Sequence, residues 1–507
     1  MARTQREGVL IEKPAERLSP DQVALVDETS RAILEDPGIL CYNEEAVDLF
    51  TAAGAKAEKK TDHWVVTIPP KMVDQALESA PSEVVLGARD PKNRLVLNAE
   101  EPRVRFVSGS ETNVWIDVDF VETPSDDGTF APLAPRFTPR QGSIEDLRMA
   151  AHLADNLDNL DSFIRCVNIQ DPEVTEANKD VNKFFASLDN ITKHVQAGLT
   201  TLDAIDDVAN MVEIIAGGPE AAKENPLVSF ITCLVKSPLQ MVDDTTAKSI
   251  AFARRGIPMV VSSSPMGGAT APFDEFGMVA QINAEILAGL VITQLASAGA
   301  PILYGSVPVR TRLDNLNDMY GAPDFVHYNI DCTQMARHYK LPCYSTAGVG
   351  DAEYPGIQAT AEKLLTLVHV PLAGAQYVHY AFGLLDRTNN FCPEQAIMDN
   401  AHISMVKHLM ADSTVRRERK DEVLSLVREI MASGQKVYMY HLPLPTQEDV
   451  YVRYPLENAQ GGALMAAHEE FQRIKETPRN RIPADVRKRV ASEVKGLLPK
   501  ALAEEAQ

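Results

Sequence analysis

The stretch PMVVSSSPMGGATAPFDEFGMVAQINAEILAGLVITQLASAGAPILYGS (258–306) holds two short apolar runs, PMVVSS and ILYGS, on either side of a long helical pattern. In FGMVAQINAEILAGLVITQLASAG (276–299) the apolar residues recur every three or four positions, predicting an amphipathic helix that Gly299 ends. A strand, a helix and a strand in that order predict parallel pairing, because parallel neighbours need a crossover longer than a hairpin. The same unit recurs outward from this stretch. VRFVS (104–108), FIRCVNI (163–169), HVQAG (194–198), VSFITC (228–233), CYSTA (343–347) and AQYVHY (375–380) complete a set of eight strand-like runs. After the first, they recur roughly every thirty to forty residues, the length of a βα unit. Eight such units can close on themselves, so the expected fold is α/β, a (β/α)8 TIM barrel, with a doubly wound open sheet as the alternative.

The turn STAGVGDAEYPGIQAT (345–360) has the look of a phosphate loop, with Gly348 and Gly350 after an apolar run. Glu353 stands where the dinucleotide fingerprint requires its third glycine, and no GxxxxGK[ST] occurs anywhere in the chain. Neither nucleotide signature is present, which favours the barrel.

The chain has 507 residues and 45% hydrophobic content, enough for a large core with appendages. Its 49 Lys and Arg against 71 Asp and Glu give a net charge of −22, which repels phosphate backbones and anionic lipid. Nucleic acid and membrane partners are therefore not expected. The opening MARTQREGVLIEKPAERL lacks the apolar core of an export signal, which predicts a cytoplasmic protein. Six scattered cysteines, without a CxxC pair or a nearby histidine at zinc spacing, predict free thiols and no metal site.

Residues 1–100 read as a mostly helical extension, 101–411 as the barrel and 412–507 as a C-terminal helical extension. Ser19-Pro20-Asp21-Gln22 forms a capping box that opens a helix running towards Asp36. Further helices are expected near 44–53 and 71–79, with a strand at 63–68. Beyond residue 411 a charged helix is expected, then an extended VYMYHLPLP (437–445) and a second charged helix from Thr477 to the end.

In a barrel the chemistry lies at the carboxyl ends of the strands. The first strand leads into Gly109-Ser110-Glu111-Thr112-Asn113, the fifth into a serine-rich turn and the sixth into Arg310-Thr311-Arg312. The seventh leads into Gly348-Val349-Gly350-Asp351 and the eighth into His379-Tyr380-Ala381-Phe382-Gly383. A metal hydrolase would need clustered histidines and a Schiff-base enzyme a lysine at a strand end; the rim has neither. A quaternary ammonium ligand needs aromatic faces, and an Arg or His if it also carries a carboxylate. Tyr344, Tyr354, Tyr380 and Phe382 can supply faces, and Arg310, Arg312 or His379 the other end. Strand alternation places Arg310 and Arg312 on one side. No residue stands out as an acid, base or nucleophile.

The segments LPCYSTAGVGDAEYPGIQATAEK (341–363) and AGAQYVHYAFGLL…AIMDNAHISM resemble the trimethylamine methyltransferase (MttB-type) family of corrinoid-dependent enzymes. The LP, the loop length, the Asp and the following Pro-x-x-Gln fall at the family's spacing. The resemblance implies a methyltransferase that moves a methyl group to the cobalt of a corrinoid (cobalamin) carried by a separate cognate corrinoid protein. It also implies a homo-oligomer. Founding members carry pyrrolysine two residues before that Asp, where this chain has Val349. Relatives without pyrrolysine act on quaternary amines, glycine betaine above all, so a quaternary amine is the expected substrate. Carnitine, γ-butyrobetaine, proline betaine, trimethylamine and a non-catalytic betaine-binding barrel are the alternatives. Under this resemblance the turn Gly348, Val349, Gly350 and Asp351 is expected to face the partner's corrin ring, with Asp351 capping the next helix or facing the cation.

Overall fold

The computed structural model describes residues 7–122, 133–411, 413, 415–434 and 462–503. All eight apolar runs lie on strands of one curled sheet: β1 (Arg103–Phe106), β2 (Phe163–Ile164), β3 (Val195–Ala197), β4 (Val228–Cys233), β5 (Met259–Ser263), β6 (Ile302–Ser306), β7 (Cys343–Thr346) and β8 (Tyr377–His379). Each is followed by a helix: α1 (Ile144–Asn156), α2 (Glu176–Leu188), α3 (Ile205–Ala216), α4 (Asp243–Arg255), α5 (Glu275–Ala296), α6 (Pro323–His338), α7 (Ile357–Leu372) and α8 (Pro393–Leu409). The strand order is β1-β8-β7-β6-β5-β4-β3-β2, parallel throughout, and Val9–Leu10 adds a ninth, antiparallel strand beside β1. At the two ends of the parallel row, Val107 and Ser162 form a single parallel bridge, and the Asp161 N–H donates to Phe106 O at 2.8 Å. The architecture is thus mixed α/β with a curled, parallel-rich sheet.

Helix α5 corrects the amphipathic reading. Every residue from Met278 to Gln294 is buried, so the helix is covered all round. Asp274 caps it by accepting the Gly277 N–H at 2.8 Å. By length and composition it could cross a membrane, but 89% of its apolar window is buried within the fold. Its outer face is covered by helices Pro20–Glu35 and Pro70–Ser79 of the first hundred residues. Ser30 Oγ donates to Ala280 O at 2.9 Å and accepts from Asn283 Nδ2 at 2.9 Å.

The capping box at Ser19 is formed, with the expected helices at Glu44–Ala52 and Pro70–Ser79 and the strand at Trp64–Thr67. That strand joins Ile39–Cys41 and Lys56–Lys59 in a sheet that also takes Gln240–Met241, from the loop after β4. A long hairpin, Val114–Glu122 with Leu133–Gln141, lies between β1 and α1, where no strand was expected. The charged helix is present as Lys420–Ala432 and has no buried residue. The helix expected from Thr477 onward is instead broken into Ala484–Glu493, with Pro483 at its N-cap position but no side-chain cap hydrogen bond, and Pro499–Leu502. The extended VYMYHLPLP lies outside the described residues.

Candidate active site

The carboxyl ends of all eight parallel strands enclose one cavity of about 250 Å³. Its aromatic wall is built by the chain leaving β7 and β8. The Tyr344 hydroxyl meets His379 Nδ1, the two rings lie 4.9 Å apart, and the His379 ring lies 3.8 Å from Tyr380. Tyr320 backs Tyr380 edge-on at 6.0 Å. Burial holds the His379 imidazole well below its ordinary pKa and both cavity tyrosines above theirs, so this wall is uncharged at neutral pH. Tyr380 takes φ +73°, a backbone turn that swings its ring back beside His379.

The opposite wall is hydroxylic and charged. Ser262 donates to Thr232 O at 3.0 Å and Ser264 to Val307 O at 3.1 Å. Cys233 is exposed, and what exposes it is the cavity it lines; the other five cysteines are buried, and all six are free. Arg165 follows directly on β2 and is 3% exposed at its side chain. Its Nη2 pairs with Glu111, from the loop after β1, while Nε and Nη1 are buried without a hydrogen-bond partner. Desolvation pushes the guanidinium down to about 10.

Of the residues expected at the site, Tyr344, His379 and Tyr380 line this cavity; Arg310, Arg312, Tyr354 and Phe382 do not. After β6 the chain turns at Val307-Pro308 into a separate small strand, Val309–Thr311, so the alternation argument for the two arginines fails. Arg312 is exposed and forked on Asp314 at 2.9 and 2.7 Å. Arg310 stacks on Phe273, with Cζ 3.5 Å from the ring centroid, and donates to Tyr328 Oη at 3.1 Å. Tyr354 stacks on Phe137 of the hairpin, ring centroids 4.9 Å apart. Phe382 is fully buried among Leu153, Leu157, Phe163 and Phe391, behind the sheet.

The turn 348–351 is tucked into the protein rather than open. Gly348 has φ +88°, and a Cβ there would lie 2.7 Å from Ala381 Cα. Val349 and Gly350 are buried, with Gly350 against the Glu362 carboxylate. Asp351 neither caps α7 nor faces the cavity. It accepts the N–H groups of Tyr320 (2.8 Å) and Gly321 (3.2 Å), fixing the loop that carries Tyr320.

Arg165 and Glu111 are the functional candidates that sequence reasoning passed over. The available signal was an arginine inside the otherwise apolar run FIRCVNI. Outside the cavity a polar groove of about 310 Å³, lined by Glu111, Asn113, Asp318, Arg387 and neighbours, shares Glu111 with it. Among the described residues no cluster of His, Cys, Asp or Glu is placed to hold a metal ion.

A family model for trimethylamine methyltransferase (MTTB) matches residues 3–441. The trimethylamine methyltransferase MttB of Desulfitobacterium hafniense (strain DSM 10664 / DCB-2) is 31% identical over 400 residues, 79% of this chain and 76% of the relative. That of Methanosarcina barkeri is 30% identical over 406 residues, 78% of this chain and 77% of the relative. A glycine betaine methyltransferase of Desulfitobacterium hafniense (strain Y51) is 27% identical over 399 residues, 78% of each chain.

Proposed function

The chain belongs to the trimethylamine methyltransferase family, and from that premise we propose that it demethylates a quaternary amine, glycine betaine first among the candidates, for a corrinoid carried by a separate protein. The observation that carries this reading is the cavity's wall of uncharged rings, Tyr344, His379 and Tyr380. Aromatic faces attract a trimethylammonium group, and a neutral His379 does not repel it.

The corrinoid of the partner supplies a low-valent cobalt nucleophile for the methyl carbon. This chain's part is to bind, orient and dry the substrate. A quaternary nitrogen already carries full positive charge: its C–N bond breaks, the electron pair stays on nitrogen, and a neutral tertiary amine leaves. No proton donor is required. That suits a site in which Tyr344 and Tyr380 stay protonated and Val349, where the founding relatives carry pyrrolysine, is buried and has no group that can capture an amine. The groove that shares Glu111 with the cavity offers the entrance. We read the curled sheet as a closed (β/α)8 barrel, a reading supported by the Val107–Ser162 bridge between its end strands.

The test is to incubate the enzyme with reduced corrinoid protein and glycine betaine, carnitine, γ-butyrobetaine, proline betaine or trimethylamine, following the Co(I) absorption. Its loss with a quaternary amine and release of the tertiary amine are expected. An unchanged spectrum with every quaternary amine, or a response to trimethylamine alone, would refute the proposal.

A further inference from the structure

Arg165 is a buried cation with more donors than partners. Its guanidinium uses Nη2 on Glu111, and Nε and Nη1 meet no acceptor although the side chain is only 3% exposed. Leaving buried donors unfilled is costly, and leaving them on a charged group more so. The surrounding charges do not make up the deficit. Lys179 Nζ lies 3.3 Å from the other oxygen of Glu111, so that carboxylate is shared between two cations. Lys183 pairs with Asp180, whose oxygens also accept the N–H groups of Thr200 (2.9 Å) and Thr201 (3.0 Å). Arg165, Lys179 and Lys183 thus share Glu111 and Asp180, with Glu176 also acting on Lys179, and none of these carboxylates meets Nε or Nη1 of Arg165. Lys183 is pushed down to about 7, by desolvation first and then by Arg165. Arg165 also lines the cavity, across from the aromatic wall of Tyr344, His379 and Tyr380, which makes it the cation placed beside the substrate's space.

We propose that Arg165 receives a carboxylate of the substrate, making this cavity selective for zwitterionic betaines over methylated amines without an acid group, and that Glu111 holds the guanidinium until that carboxylate arrives. The inference rests on the methyl-transfer reading for its ligand class and deepens it by naming the residue that sets specificity. The substrate then spans the cavity, with its anion at the end of β2 and its cation at the rings that follow β7 and β8. His379, whose Nε2 is likewise buried without a partner at the cavity, can add a hydrogen bond to the acid but no charge, because burial keeps the ring neutral. Guanidinium and carboxylate form charge-assisted hydrogen bonds, strongest when shielded from water, as here. Glu111 has a side chain 36% exposed, on the rim, and can yield one cation while keeping Lys179.

The experiment is calorimetric titration of the full chain, without corrinoid protein, using glycine betaine, its product dimethylglycine, choline and tetramethylammonium. Arg165→Gln is expected to weaken glycine betaine and dimethylglycine by about 30-fold or more while leaving choline and tetramethylammonium unchanged, with Arg165→Lys recovering part of the loss. Glu111→Gln, which removes the resident competitor, is expected to tighten glycine betaine several-fold, and decides the matter if Arg165→Gln does not fold. Betaine affinity that survives Arg165→Gln, an equal loss for choline, or weaker betaine binding in Glu111→Gln overturns the proposal. A parent protein that still demethylates betaine with such variants leaves the methyl-transfer reading standing. A parent that binds none of the four ligands overturns the Arg165 proposal, while the methyl-transfer reading is decided separately by the Co(I) spectra with the longer betaines.

Discussion

Gly109 shows how tightly single residues are constrained here. A Cβ at this position would collide with Nε2 and Cδ2 of His379, and φ is +119°, a region that L side chains rarely adopt. Gly109→Ala must therefore push the imidazole off Tyr344. We expect a loss of about 1–3 kcal/mol in stability, read by urea unfolding, and a clear loss of affinity for tetramethylammonium, which has no acid group for Arg165 to hold. Unchanged tetramethylammonium binding would mean that His379 is not part of that wall. Arg312→Ala is the contrasting case: among the described residues its side chain hydrogen-bonds exposed Asp314, and neither unfolding midpoint nor betaine affinity should move. His379 and Tyr380 are legible in the sequence because they end an apolar run, where a parallel sheet puts its chemistry, and Tyr344 because it is the aromatic of the short run before the glycine turn. Arg165 is not, because FIRCVNI reads as one strand; the strand stops at Ile164, and the arginine already belongs to the rim.

At the scale of elements, the turn after β7 is shaped by the helix that follows it. Glu362 of α7 accepts the N–H groups of Asp351 (2.7 Å) and Ala352 (3.2 Å). Lys363 reaches Gly348 O, Leu384 O (2.9 Å) and Asp399 Oδ2 on α8 (3.1 Å), with no exposed surface on either ion. One buried ammonium thus ties together the ends of β7 and β8. Lys363→Met takes from buried Asp399 its ammonium partner, leaving hydrogen bonds from the Gly383 N–H and Gln395, with His402 at 3.8 Å, and is expected to cost about 3 kcal/mol, measured as a fall in the denaturation midpoint at unchanged m-value. Lys363→Met with Asp399→Asn, which keeps an acceptor for the Gly383 N–H, should recover much of it; no recovery would mean the ion pair is not the source of the loss. The glycines announce a tight turn in the sequence. What fills the space beside them is not announced, since it depends on two side chains a helical turn further on and on a helix that follows the next strand.

For the molecule as a whole, the eight strands are legible because a parallel strand covered on both faces is an apolar run whatever its neighbours. The sheet joining Ile39–Cys41 to Gln240–Met241 is not, because it pairs short segments two hundred residues apart. Acid response is likewise a global property. His194, on the chain entering β3, meets Gly87 O through Nδ1 at 2.8 Å and Ser229 Oγ through Nε2 at 2.7 Å, a pairing suited to a neutral ring. Burial pushes it down to about 4. The unfolded chain therefore takes up this proton first, near pH 6.5, and the stability is fully present above that pH and lost as pH falls through about 4. The loss amounts to about 3 kcal/mol. His194→Gln should be less stable than the parent at pH 7.5 yet decline less steeply between pH 6.5 and 4.5 in a series of calorimetric melts; parallel curves would contradict the assignment.

The pairing of β1 with β8 and with Val9–Leu10 sets an order on biosynthesis. One edge of β1 can be dressed as soon as it leaves the ribosome, because Val9–Leu10 has already been made. The other waits for Tyr377 and Val378, over half the chain later, which at about 5–20 residues per second is tens of seconds. A nascent or prematurely terminated chain that ends before β8 carries that open strand edge throughout, and an open edge is a template for pairing with another chain.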